Sequence, residues 1–322
     1  MSSGTIPRAC FLLAVATLMW TLSLLAVGTA CGAEDIWRTP VNLGPVVNSS
    51  AGDWAPDISS DGLALFYEYG PGDTWMSTRE SIGSPWSAPT NVGYPPNTEE
   101  YRDVAPTVSA DMLTMYYFST DTSNGKPDIW FVTRPTATSP WENPTALPAN
   151  INTTAEERDP EISADGLMLL FDSDRAGGYG GHDLYACTRS SLEAPWSDPV
   201  NLGPNVNTSA DERGPSIGSD GSVVYFHSNR AGGYGNYDIY LSRFIESEWT
   251  SAANAGPTVN SSSHDMTPEI SANGGELFFS SDRPGGYGLF DVWVSTVIPE
   301  PATLPLIALA ALGLFIGKRR SR

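Results

Sequence analysis

The chain has 322 residues, enough for one large core or two ordinary ones, with 31 Gly, 26 Pro and 11% aromatic residues, a composition that suits an all-β protein dense in turns. The formal charge is −20; leaving out the two ends, with Arg8, Lys318, Arg319, Arg320, Arg322 and Glu300, the body 34–298 keeps 12 basic and 36 acidic residues, a net −24. Such a body repels phosphate backbones, which excludes nucleic acid as a partner and favours cations.

Residues 1–33 carry Arg8, an apolar run from Phe11 to Val27 and then the small residues of Gly28-Thr-Ala-Cys-Gly-Ala33, the pattern of a secretory signal peptide. Of three cysteines only Cys187 lies in the body, so no intramolecular disulfide can form there. Trp37-Arg-Thr-Pro-Val-Asn-Leu-Gly44 then reads as a lone edge-type strand with an internal proline.

From Pro56 a pattern recurs, starting again at Pro106, Pro160, Pro215 and Pro268, with intervals of 50, 54, 55 and 53 residues. Each repeat holds a proline-initiated strand, a turn such as Asp165-Gly166, an apolar strand, a second turn and a third strand such as Asp183-Leu-Tyr. Trp86, Trp141, Trp196 and Trp249 then open a fourth strand, which the last repeat lacks. Self-similarity of this period marks a stacked or radial array. The lone N-terminal strand supplies what the last repeat is missing, so the prediction is a five-bladed β-propeller of four-stranded antiparallel blades over 34–298, closed by the N-terminal strand.

The S-x-D-G turn, the apolar strand after it, S-D-R-x-G-G-Y-G and D-[ILV]-[YW] resemble the WD40-like repeat of TolB-like periplasmic propellers over essentially all of 37–296. Repeat one departs with Gly70-Pro-Gly-Asp73 and repeat two with Asp121 to Asp128, and five repeats differ from the six blades usual in that family. Residues 299–322, with Pro299-Glu-Pro301, an apolar run from Ala302 to Ile316 and a basic end, resemble a PEP-CTERM sorting signal. That resemblance implies a short transmembrane segment that anchors the precursor, an exosortase-type partner, and delivery to the cell surface or extracellular matrix.

The most regular polar feature is an acidic residue three positions before each starting proline: Asp53, Asp103, Glu157, Glu212 and Asp265. Five carboxylates at equivalent places in five inner strands are expected at the channel mouth, where they form a ligand or cation site; hard oxygen ligands suit Ca²⁺. The competing reading is that each caps a turn or binds the neighbouring blade. The glycine-rich turns open no helix and so are not phosphate loops; their tyrosines are expected to pack over the blade, and Asp183, Asp238 and Asp291, with Asp128 and Asp73, to bind turn amides. Gly214-Pro-Ser-Ile-Gly218 matches a nucleophile elbow, but Ser216 shares a strand position with Asp57, Thr107, Glu161 and Glu269. The histidines lack zinc spacing, and the sequons at Asn48, Asn152, Asn207 and Asn260 read as Asx-type turns.

Two functional readings follow. One is a non-catalytic exported propeller acting as a binding or scaffold module for an extracellular polysaccharide or protein ligand. The alternative is a five-bladed glycoside hydrolase or lyase using carboxylates across the channel. Catalysis needs carboxylates with unlike surroundings, and near-identical repeats favour binding.

Overall fold

In the computed structural model, the described residues are 37–298 except 71, 121, 123 and 124. The readings of 1–33 as a signal peptide and of 299–322 as a sorting signal lie outside them.

The chain begins with β1 (Val41–Asn42) and then builds five antiparallel sheets. Blade 1 is β2 (Asp53–Ile58), β3 (Ala64–Tyr69), β4 (Asp73–Thr78) and β5 (Thr90–Asn91); blade 2 is β6 (Asp103–Val108), β7 (Thr114–Ser119), β8 (Asp128–Thr133) and β9 (Glu142–Ala146). Blade 3 is β10 (Glu157–Ile162), β11 (Met168–Ser173), β12 (Asp183–Thr188) and β13 (Val200–Asn201). Blade 4 is β14 (Glu212–Ile217), β15 (Val223–Ser228), β16 (Asp238–Ile245), an added hairpin strand β17 (Glu248–Trp249) and β18 (Ala253–Asn254). Blade 5 is β19 (Asp265–Ile270), β20 (Glu276–Ser281) and β21 (Asp291–Thr296), and its outer strand is β1, with Val41 opposite Val294 and Asn42 opposite Trp293. The ring is therefore closed by the two ends of the described chain, and Trp37, 2% exposed, bridges to Val297 beside them.

Each second strand is sandwiched between neighbouring blades, which is why it reads as an apolar run rather than an alternation. Leu65, Phe66, Leu169, Phe171, Phe226 and Phe278 have no solvent exposure, and each such side chain contributes about 1.5–3 kcal/mol. Most of the core consists of five clusters, one between each pair of adjacent blades, including the pair that joins blade 5 to blade 1.

The Asn of each sequon proves to be a clamp, deeper than an Asx turn. Asn207 is 1% exposed; its Oδ1 accepts the Leu184 amide (2.8 Å) while Nδ2 donates to the Leu184 carbonyl (3.0 Å) and to Asn201 (2.8 Å). Asn48, Asn97, Asn152 and Asn260 grip their own third strands in the same way. The turn tyrosines Tyr179, Tyr234 and Tyr287 are 46–53% exposed, contrary to the expectation that they pack over the blade. The following glycine explains this: a Cβ on Gly180 would lie 1.9 Å from the Ala210 carbonyl oxygen, so the turn backbone itself presses on the next loop and lifts the ring away. Asp183, Asp238 and Asp291 do bind turn amides, Asp183 accepting from Tyr179 (2.5 Å) and Gly180 (3.1 Å).

Candidate functional site: the axial channel

Asp53, Asp103, Glu157, Glu212 and Asp265 begin the five inner strands and are at most 1% exposed. Each accepts the backbone amide of a Ser or Thr in the preceding loop: Ser49 (2.6 Å), Thr98 (3.0 Å), Thr153 (2.8 Å), Thr208 (2.6 Å) and Ser261 (2.5 Å). In blades 3 to 5 the arginine two residues after the second strand joins in: Arg175 bonds Glu157 (3.0 Å), Arg230 bonds Glu212 (3.0 Å) and Arg283 bonds Asp265. The same guanidinium groups donate to the loop carbonyls of Ile151, Val206 and Val259. Among the described residues Asp53 and Asp103 have no arginine partner, and burial pushes Asp53 up to about 6. None of the five lines either cavity on the axis.

The axis is lined instead by the residue after each starting proline: Asp57, Thr107, Glu161, Ser216 and Glu269. A bulge aims them there. In blade 1, Trp54 pairs with Glu68 and Asp57 with Phe66, so Ala55 and Pro56 oppose one residue of β3; the other four blades have the same shift. The bulged residue before each proline has positive φ, from 45° to 54°, at Ala55, Ala105, Asp159, Gly214 and Thr267. Around the axis the five side chains accept backbone amides from the next blade: Val108 to Asp57 (3.2 Å), Ile162 to Thr107 (3.3 Å), Ile217 to Glu161 (3.1 Å) and Ile270 to Ser216 (3.0 Å). The Ile58 amide, bonding Glu269, completes the circuit from blade 5 to blade 1.

Three of the five are carboxylates. Asp57, Glu161 and Glu269 are 5–7% exposed, and an oxygen from each lies within 4.8 Å of the others. They form a waist between two cavities of about 30 and 50 Å³ that both include them in their walls. Thr107 donates its hydroxyl to Glu161 (3.0 Å). Burial pushes Glu161 up to about 7. Burial, and then the Glu161 charge, hold Asp57 and Glu269 well above the usual carboxylate range. Three such groups cannot all ionise unless a cation joins them. Three carboxylate oxygens within 4.8 Å of one another are close enough to share one cation, and hard oxygen ligands suit Ca²⁺.

A second group lies between blades 3 and 4, where the repeat symmetry breaks. His182 Nδ1 is 2.7 Å from Asp172, which is fully buried. Burial alone raises Asp172, but the His182 bond and nearby positive charge hold it below its ordinary value. Asp159 beside it is pushed up to about 7 by burial and then by the Asp172 charge. His227 Nδ1 accepts the Thr267 amide (3.1 Å), and burial drops its pKa to about 3, so the ring is neutral. Repeat spacing hid this convergence, because the histidines occupy unlike positions.

These features define a five-bladed β-propeller with a closed acidic waist. No protein-family model matches the chain, and no curated protein matches it. Among solved structures it is similar to an endo-arabinase from Bacteroides thetaiotaomicron, with a TM-score of 0.54 and 18% identity over 83% of this chain and 98% of that one. It is also similar to an α-L-arabinofuranosidase from Lactobacillus brevis, at 0.54 and 12% over 80% and 93%. A putative TolB from Agrobacterium tumefaciens follows at 0.48 and 19% over 76% and 78%. At these identities the likeness is one of fold.

Proposed function

We propose that the chain is an exported, non-catalytic β-propeller serving as a binding or scaffold module at the cell surface or in the extracellular matrix, with Ca²⁺ held at the waist of its channel. The observation that carries this reading is the space around the only carboxylate trio brought within ligand distance among the described residues. Its flanking cavities are about 30 and 50 Å³, the scale of single waters or an ion, whereas small-molecule sites run to about 300–1,000 Å³. Asp57, Glu161 and Glu269 supply the carboxylate oxygens, with water completing the shell. In this reading Asp53, Asp103, Glu157, Glu212 and Asp265 anchor loops. Residues 1–33 direct export, and exosortase-type machinery acts on 299–322.

The second reading, a hydrolase acting on extracellular polysaccharide, draws on the likeness to an endo-arabinase and an α-L-arabinofuranosidase. Hydrolysis needs a carboxyl pair flanking a sugar linkage, roughly 5–5.5 Å apart for retention or 6.5–9.5 Å for inversion, and the waist admits no sugar ring. The test is incubation of the full chain with arabino- and xylo-oligosaccharides and measurement of new reducing ends. The expected result is none above buffer. Turnover that disappears in Glu161→Gln would overturn the proposal in favour of the hydrolase.

A further inference from the structure

On the S-x-D-G side, a tryptophan meets an aromatic ring of the preceding blade edge-on at two of the interfaces. Between blades 5 and 1, Arg79 stacks on Trp86 at 4.5 Å and pairs with Glu276 of the preceding blade at 2.6 Å, while Trp86 meets Phe278 edge-on at 6.4 Å. Between blades 4 and 5, Trp37 meets Tyr225 edge-on at the same 6.4 Å. Between blades 2 and 3 the same parts are arranged differently. Arg189 stacks on Trp196 at 4.3 Å, and Thr114 stands where Glu276 stood, as Ala64, Met168 and Val223 do in blades 1, 3 and 4, so no carboxylate meets the guanidinium from that position. Arg189 instead bonds the Gly166 carbonyl (2.7 Å), the Leu192 carbonyl (2.9 Å) and the Tyr116 hydroxyl, and joins Trp196 to Tyr116 in place of a ring contact. The interface stays open as a cavity of about 540 Å³.

That volume lies in the range of ligand sites, and the walls define the ligand. Trp196, Phe131 and Leu147 supply apolar surface, and Asp111, Asp165 and Thr133 supply polar groups. Asp111 and Asp165 each spend Oδ1 on their own turn, accepting a serine hydroxyl (2.6 Å) and an amide (2.9 Å), which leaves Oδ2 as an acceptor. Arg189 is the cation lining the cavity, and it already gives Nε to the Gly166 carbonyl and Nη1 to the Leu192 carbonyl. An anion meets two carboxylates against one guanidinium there, a lining of net negative charge. A wholly apolar ligand would bury their acceptors unmatched. What fits is a molecule with apolar ring faces, many hydroxyl donors and no charge.

We propose that the cleft between blades 2 and 3 binds a neutral oligosaccharide, its ring face against Trp196 and its hydroxyls donating to Asp111 and Asp165. This rests on the binding-module reading and gives that module a site away from the channel.

The test is calorimetric titration of the full chain in mild detergent with cellohexaose, xylohexaose and arabinohexaose, and with hexagalacturonate as an anionic comparison. A neutral hexaose is expected to bind, hexagalacturonate is not, and Trp196→Leu should weaken binding about tenfold or more. Leu192→Lys, at a position 55% exposed, places a long cation at the mouth without touching the core and should weaken it with no change in Tm. Binding left intact by both variants would overturn this site while leaving the module reading in place. Preference for hexagalacturonate, or no binding of any neutral hexaose, would overturn the ligand class. Release of shorter sugars from a hexaose would instead overturn the module reading.

Discussion

Glu161→Gln should stabilise the protein at alkaline pH in the absence of a divalent cation, an unusual outcome for a buried substitution. Glu161 is 7% exposed and its carboxyl is pushed from 4.5 up to about 7 by burial. The folded state therefore holds this proton over a range in which the unfolded chain has released it. Below about pH 4 both states are protonated and the group is neutral in its effect; as pH rises from there to 7, ionisation favours the unfolded chain and stability is lost. A rise from 4.5 to about 7 corresponds to on the order of 3 kcal/mol. Glutamine keeps the acceptor for the Ile217 amide, can donate to Thr107, and removes the charge that raises Asp57 and Glu269. The assay is thermal unfolding of wild type and variant in chelator from pH 4 to 8.5. Asp159 and His227, which also titrate abnormally, are common to both proteins and cancel to first order in the difference. The variant should match wild type near pH 4 and exceed it by roughly 6–12 °C at pH 8. A difference that stays flat with pH, or a variant less stable at pH 8 in chelator, would refute the reasoning.

Deleting Trp37 to Gly44 leaves β21 without an outer partner and removes Trp37 from the core; Tm should fall by 10 °C or more, on the order of 3–5 kcal/mol for a buried tryptophan alone, and an unchanged Tm would contradict the closed ring. Asn207→Ala removes three hydrogen bonds from a buried site and strands the Leu184 amide, while the Leu184 carbonyl keeps the Leu202 amide; denaturant unfolding should show a loss of roughly 2–4 kcal/mol, against little change if the residue were only a loop acceptor.

The architecture was legible because a repeat states its own boundaries: five starting prolines, a tryptophan opening each fourth strand, and one strand too many at the start and too few at the end. The channel was harder. Asp53 and its four equivalents are regular because every blade needs its loop held, and that regularity attracted attention to residues engaged in holding them. Asp57, Glu161 and Glu269 share their repeat position with Thr107 and Ser216, so the acidic trio has no periodic signature. Their direction depends on a bulge with positive φ at residues as unlike as Ala55, Asp159 and Thr267, a conformation no residue preference marks. A mixed position in an otherwise strict repeat was the available signal, since the fold there demands only an acceptor for the next blade's amide and leaves the charge free to vary. The open cleft between blades 2 and 3 is likewise a difference between repeats: Arg189 turns to the carbonyls of Gly166 and Leu192, whereas Arg79 reaches Glu276 on the preceding blade.

The central claim is tested most directly by equilibrium dialysis of the full chain, in mild detergent, against Ca²⁺ at pH 7.5. The account predicts one tightly held ion per chain, lost in Glu161→Gln and in Glu269→Gln and kept in Asp103→Asn. No bound ion, or an ion lost in Asp103→Asn and retained in the two channel variants, would contradict it.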